Sequence, residues 1–198
     1  MKEIRYVALG ALQANCYLLI NDNNIVIIDP GTPSKEIENY ISDNNFQVVG
    51  IILTHAHHDH VGGVDEFAQL YKCPVYLNFN DIDYVNNSNI DMRKVVLSSK
   101  INDLKPGKFL LENFDFEIID APGHSKGCSL IKWDNNLFTG DVLFKDSIGR
   151  TDLYGGSNSE MKNTIKMIKQ LDYSLVIYPG HGQMTTLEYE IKNNIYFK

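Results

Sequence analysis

The chain has 198 residues, 43% of them hydrophobic and 22% charged, with a formal net charge of −7. That size and composition suit one globular domain spanning residues 1–198, and the acidic balance disfavours a surface that tracks nucleic-acid phosphates. No apolar run approaches the roughly 20 residues of a membrane span.

In chain order, residues 17–20 and 25–28 read as two strands of a hairpin, joined by a polar Asn21-Asp-Asn-Asn24 turn. Thr32 as N-cap with Pro33 at the first helical position predicts a helix carrying Ile37, Tyr40 and Ile41 on one face. Residues 48–53 form a short apolar run of the kind found in strands buried on both faces. A helix is expected over 65–71, a strand over 74–77, and a short helix plus loop in the Asn-rich stretch 79–100. A turn at Lys105-Pro-Gly-Lys108 leads to strands over 116–119, 129–133 and 137–139, the last two joined by Asp134-Asn-Asn136. Ser157 and Glu160 form a capping box that opens an amphipathic helix with Met161, Ile165, Ile168 and Leu171 on one face. A strand over 175–178 and a helix from about Thr186 follow. Each half is thus several strands and then a helix, a pattern that supports an α/β protein; as a further step, two such halves with outer helices would pack as a four-layer αββα sandwich.

Residues 54–60 read Thr-His-Ala-His-His-Asp-His, which places four of the six histidines within seven positions. Imidazole and carboxylate are the side chains that bind borderline divalent metals at neutral pH, and no packing requirement gathers so many of them. Side chains at i and i+2 of an extended segment share a side, so His55 and His57 can hold one ion together. His124, in an Ala-Pro-Gly-His turn, completes that set. Asp59 and His60 address a second ion, which His181 completes from a matching Tyr-Pro-Gly-His turn. Asp141, ending an apolar strand, is the candidate bridge between the two ions. His58 falls out of the alternation and is expected to point elsewhere. The Gly62-Gly63 pair is expected to let the backbone pass close beneath the metals. Cys16, Cys73 and Cys128 are isolated, with no C-x-x-C spacing. They therefore suggest neither a disulfide framework nor a thiolate zinc site, and each is read as a small buried apolar residue.

The pattern Thr-His-x-His-x-Asp-His, with a distant His124, Asp141 after Thr-Gly, and a Gly-His at 181, resembles the metallo-β-lactamase-fold hydrolases. The stretch from Gly140 to Leu153 and the closing Pro-Gly-His-Gly-x-x-Thr-Thr are similar to short glyoxalase II-like proteins, grouped with hydroxyacylglutathione hydrolases. That resemblance implies a metal-dependent hydrolase of thioesters such as S-lactoyl-glutathione or a related acyl-thiol, with two divalent ions sharing a hydroxide. Zinc is favoured as the metal, with iron and manganese as alternatives. Asp59 is then both ligand and the group that orients the hydroxide and carries its proton. Asp29 looks like a supporting residue behind the metal loops, and Arg150 sits near the place of a basic residue that meets the thiol carrier's carboxylate. The same resemblance leaves two rivals: a mono-iron persulfide dioxygenase using His55, His57, His124 and Asp141, and a lactone or ester hydrolase on the same fold. The expected partner is a small-molecule substrate, with no nucleic acid and no membrane. The N-terminal segment lacks a signal peptide's apolar stretch, so a cytoplasmic location is expected.

Overall fold

The computed structural model describes residues 2–87 and 95–198. The strands of the first half are β1 (Lys2–Leu9), β2 (Ala14–Asn21), β3 (Asn24–Ile28), β4 (Gln47–Ile52), β5 (Val75–Leu77) and β6 (Ile101–Asp103). Its helices are α1 (Lys35–Asp43), α2 (His58–Val61), α3 (Val64–Tyr71) and, after a 3-10 turn at Phe79–Asp81, α4 (Ile82–Asn86). The second half contains β7 (Gly107–Leu111), β8 (Phe114–Asp120), β9 (Ser129–Trp133), β10 (Asn136–Gly140), β11 (Leu143–Phe144), β12 (Ser147–Ile148), β13 (Val176–Pro179) and β14 (Thr185–Thr186). Helices α5 (Asn158–Ile168) and α6 (Leu187–Asn193) belong to it as well. One sheet has the order β1-β2-β3-β4-β5-β6 and the other β14-β13-β10-β9-β8-β7, while β11 and β12 pair apart as a small ribbon.

Strand alternation builds the layers. On β2 and β3, Leu18, Ile20, Ile25 and Ile27 face one way and pack with Ile37 and Ile41 of α1 and Phe67 of α3. Their neighbours Tyr17, Leu19, Val26 and Ile28 face the opposite way and meet Phe116, Ile131, Trp133 and Phe138 of the second sheet. Leu130, Leu137 and Ile177 then leave the outer face of that second sheet to pack with Met161, Ile165 and Ile168 of α5. Because both faces of the central strands are covered, they read as continuous apolar runs rather than alternating ones. The four-layer αββα sandwich is therefore a consequence of burial on both sides of two sheets.

Three local expectations are corrected. Helix α1 starts at Lys35, not Pro33, because the Ser34 side chain accepts from the amide of Ile37 and takes the N-cap position from Thr32. The α5 helix ends at Ile168, so Leu171 packs against the same cluster from beyond its end. Strand β1 was not foreseen: its residues are mostly half-exposed or exposed, and an edge strand buries too little to show a pattern. Part of the stretch 79–100, residues 88–94, lies outside the described residues. No helix among those described is long and apolar enough to cross a membrane.

Candidate metal centre

Strand direction gathers the loops at one edge. Strands β8 and β10 both run antiparallel to β9, and β13 runs parallel to β10, so the C-terminal ends of all three coincide. His124, Asp141 and His181 stand just beyond those ends. In the first sheet β3 and β4 are parallel, and their ends deliver Asp29 and the segment 54–60. The Ser129 amide donates to the Thr54 carbonyl at 2.9 Å, and the Asn15 amide donates to the Gly180 carbonyl at 2.7 Å, which ties the two sheets together beneath the site.

His55, His57 and His124 converge, as do Asp59, His60 and His181, with potential ligand atoms within 4.8 Å of one another in each group. Asp141 lies between them. Its Oδ2 is 3.5 Å from the Nε2 of both His124 and His181, and its Oδ1 is 3.3 Å from His60 Nε2. One carboxylate thus lies within 3.5 Å of histidines from both groups. A third convergence, Asp29 with His55 and His60, has a different meaning, because Asp29 is engaged behind the histidines. Its Oδ1 accepts from the Thr54 amide at 2.8 Å and its Oδ2 accepts from Thr54 Oγ1 at 2.5 Å and from His60 Nδ1 at 2.9 Å.

These outer contacts fix the tautomers. A carbonyl can only accept, so His124 Nδ1 carries its proton toward the Arg150 carbonyl (2.8 Å), and His181 Nδ1 toward the Leu12 carbonyl (3.1 Å). The Thr54 hydroxyl gives its hydrogen to Asp29 and so accepts from His55 Nδ1 at 3.0 Å. With each Nδ1 donating outward, Nε2 of His55, His60, His124 and His181 faces inward, the nitrogen that metal-binding imidazoles offer once it carries no proton.

The donor set fits metal ions by a test internal to the protein. The Nε2 atoms of His55, His57, His60 and His124 and Oδ1 of Asp141 are buried without a hydrogen-bond partner. Leaving a buried polar atom unpaired costs about 1–3 kcal/mol, and a cation held among these inward-facing atoms would serve them together. Titration behaviour divides the cluster. Burial, together with the neighbouring imidazoles, pushes His55 well below the usual histidine range and brings His57 down to about 3, so both are neutral and ready to ligate. His60 is raised despite its burial, by Asp141 and Asp29, and His181 rises to about 10 through its contacts with Asp141 and Asp59. Burial opposes ionisation of Asp59 and Asp141, yet His181 and His60 hold Asp59 down to about 2 and Asp141 well below the carboxylate range. Without metal, then, two imidazolium protons occupy the place of cationic charge around the paired carboxylates.

Other expected residues fall as follows. His58 joins neither triad, and its Nδ1 lies 3.8 Å from Asp59 Oδ1. The Arg150 guanidinium is exposed and doubly bonded to Asp152 at 2.6 and 2.8 Å, while its carbonyl is what holds His124. The Gly62-Gly63 pair corrects its expectation. A Cβ on Gly62 would meet the Gly31 carbonyl at 2.5 Å, and one on Gly63 would meet Thr32 and Pro30, so these glycines seat the α2–α3 corner on the 30–32 loop. One glycine pressed against the ligand side chains is Gly180, where a Cβ would strike Asp141 Oδ1 and approach His60 Cε1 at 2.8 Å. Thr54 and Asp81 were not foreseen. Asp81 belongs to no recognisable spacing, whereas Thr54 opens the Thr-His-x-His-x-Asp-His pattern without its role there being read.

A family model described as the metallo-beta-lactamase superfamily matches residues 9–181, and the chain belongs to that superfamily. A probable metallo-hydrolase of Bacillus subtilis, YqgX, is 33% identical over 96% of this chain and 95% of its own length. The hydroxyacylglutathione hydrolase GloC of Haemophilus influenzae is 29% identical over 97% of this chain and 96% of its own. Among solved structures, the B3 metallo-beta-lactamase BLEG-1 superposes with a TM-score of 0.91 at 29% identity, covering 99% of this chain and 100% of that one. TTHA1623, solved in a di-iron-bound form, superposes with a TM-score of 0.87 at 31% identity, covering 97% and 99%.

Proposed function

We propose that this metallo-hydrolase cleaves thioesters, with S-lactoyl-glutathione or a related acyl-thiol as substrate, using two divalent ions. His55, His57 and His124 would hold one ion, Asp59, His60 and His181 the other, and Asp141 would reach both. The observation that carries the reading is the placement of Asp141 between two complete ligand triads, with Nε2 of His124 and His181 each 3.5 Å from one of its oxygens. Full-length similarity to GloC supports the substrate class.

When bound, such a pair of ions supplies hydroxide at neutral pH and a Lewis acid for the substrate carbonyl oxygen. The chain's own residues do the rest. Asp59 is the carboxylate at the rim of the cluster, 15% exposed; His181 and His60 hold it down to about 2, so it is ionised and able to orient a water, and it is the proposed carrier of that water's proton. The described chain offers no thiolate nucleophile, because burial raises the thiols of Cys16 and Cys128 and pushes Cys73 up to about 11. Attack therefore falls to water. Arg150, exposed on the loop whose carbonyl orients His124, is the proposed contact for the anionic end of the thiol carrier. Imidazole and carboxylate donors suit zinc, iron and manganese alike. Zinc is the proposed metal, and the di-iron form of TTHA1623 makes iron the alternative to test.

A complete second triad weighs against the mono-iron dioxygenase reading. The deciding experiment loads metal-stripped protein with zinc or iron, measures bound metal, and assays S-lactoyl-glutathione, other acyl-thiols, lactones, a β-lactam, and a persulfide with oxygen consumption. Metal-dependent thioester cleavage exceeding the other activities is expected. Oxygen-consuming turnover of the persulfide with one iron per chain, and no thioesterase activity, would replace the proposal.

A further inference from the structure

Asp81 ends the 3-10 turn before α4, away from every histidine in sequence, and is fully buried. Its Oδ2 accepts from the amide of Ala56 at 3.2 Å and from Ser125 Oγ at 2.6 Å, and its Oδ1 accepts from the amide of Gly127 at 2.6 Å. Ala56 stands between His55 and His57, and Ser125 directly follows His124. One carboxylate therefore grips both loops that carry the first triad, which come from the ends of β4 and β8 in different sheets.

The grip is built on both sides. A Cβ on Gly127 would lie 2.7 Å from Asp81 Cγ and 2.7 Å from its amide nitrogen, so only glycine lets the loop amide approach the carboxylate. Ser125 is itself fully buried. The three partners are all donors, a set that a carboxylate can accept in full and an amide cannot, since an amide offers a single oxygen. Burial raises Asp81 from the ordinary carboxylate value while its three donors work against that rise, and nothing in the arrangement suggests a purely local capping role, since its bonds reach 25 to 46 residues along the chain.

We infer that Asp81 is a positioning residue that sets the spacing of His55, His57 and His124 by clamping their two loops together, and so determines the affinity of the ion held by that triad. The inference rests on the proposed metal reading of the triad. Asp81 touches neither ion nor substrate; it acts through the backbone on either side of the ligands. Outer contacts of this kind are worth about 10–100-fold in metal affinity. The second triad, Asp59 with His60 and His181, receives no contact from Asp81 in the described structure.

The test reads metal binding rather than turnover, by titrating metal-stripped full-length protein with zinc against a chromophoric chelator. His181→Ala leaves the first triad complete, and His57→Ala leaves the second. Asp81→Asn is expected to weaken zinc binding about 10–100-fold in the His181→Ala background and to leave it unchanged in the His57→Ala background. Equal losses in both backgrounds, or no loss in either, would overturn the inference. Ser125→Ala, which keeps the carboxylate and removes one donor, covers the case in which Asp81→Asn fails to fold; a several-fold loss confined to the His181→Ala background is expected, and an unchanged affinity there counts against the clamp. Absence of zinc binding by the wild-type chain would instead remove the metal reading on which the inference stands, an outcome separable from failure of Asp81 itself.

Discussion

Asp29 Oδ2 lies 2.9 Å from His60 Nδ1, across 31 residues of sequence and from the end of a different strand. The same carboxylate holds Thr54, which holds His55, so one buried residue orients an imidazole in each triad. Asp29 also adopts a positive φ of 51°, a conformation that Asp and Asn tolerate better than other side chains. Asp29→Asn should therefore keep the backbone while losing one of the acceptors. The expected result is a metal affinity lower by about 10–100-fold and a metal-free protein less stable by about 1–3 kcal/mol. Urea denaturation and zinc titration measure the two effects, and unchanged affinity would show that the His60 contact does not tune the site.

Titration of the cluster predicts a stability optimum for the metal-free protein. His55 and His57 are depressed by burial, His57 to about 3, so the unfolded chain takes up protons first as pH falls below the ordinary histidine value of 6.5, and stability declines toward acid. His60 and His181 are raised, so the stability they contribute is complete below 6.5 and is lost as pH rises above it, for His181 through about 10. The two trends meet near pH 6.5. Melting temperature measured across pH 4–10 should peak there for the metal-stripped protein, and a curve still rising at pH 9 would contradict the assignment.

Metal affinity should follow a different course over the alkaline part of that range. Filling the second triad requires His181 and His60 to give up their protons, so zinc binding releases protons and tightens as pH rises from 6.5 toward 10. Calorimetric titration in buffers of differing ionisation heat counts those protons. Release should shrink in His181→Ala, which has lost one of the two imidazolium groups. Equal release by the two proteins would mean that His181 binds without deprotonating.

What the sequence revealed here, and what it hid, follows from distance along the chain. His55, His57, Asp59 and His60 announce themselves because their chemistry is concentrated in one short segment, in which His55 and His57 lie on the loop after β4 and His58 opens α2. The outer strands are harder to see: β1 buries little, and β11, β12 and β14 are two residues each, too short for any period to appear. Sheet order is hidden for a different reason, since the pairing of β10 with β13 joins segments separated by a helix. Asp81 and the Arg150 carbonyl share that fate. An isolated acid carries no spacing signal, and a backbone oxygen carries no sequence signal at all.

Gly180 tests whether the bridge position is sterically set. A Cβ there would overlap Asp141 Oδ1 and press on His60, while the residue's amide donates to the Gly140 carbonyl at 2.8 Å. Gly180→Ala should leave the sheets paired, because that amide is retained, yet displace the carboxylate that both triads approach. Zinc stoichiometry is expected to fall below two per chain, and hydrolysis of the best substrate to fall at least about tenfold, with far-ultraviolet circular dichroism unchanged. A fully loaded, fully active variant would place Asp141 outside the bridging role.

Arg150 separates two jobs within one residue. Its carbonyl holds His124 Nδ1 at 2.8 Å, and its guanidinium, 62% exposed, pairs with Asp152. Replacing the side chain keeps the carbonyl, so Arg150→Ala should bind zinc as the wild type does. An exposed ion pair of this kind contributes little to stability, and the melting temperature should move by no more than a degree or two. Only recognition of an anionic substrate is at stake: KM for S-lactoyl-glutathione should rise about fivefold to tenfold with kcat preserved, while a neutral acyl-thiol is processed equally well by both proteins. Should KM stay constant for both substrates, the guanidinium belongs to Asp152 alone, and the carrier's charge is met elsewhere on the mouth of the site.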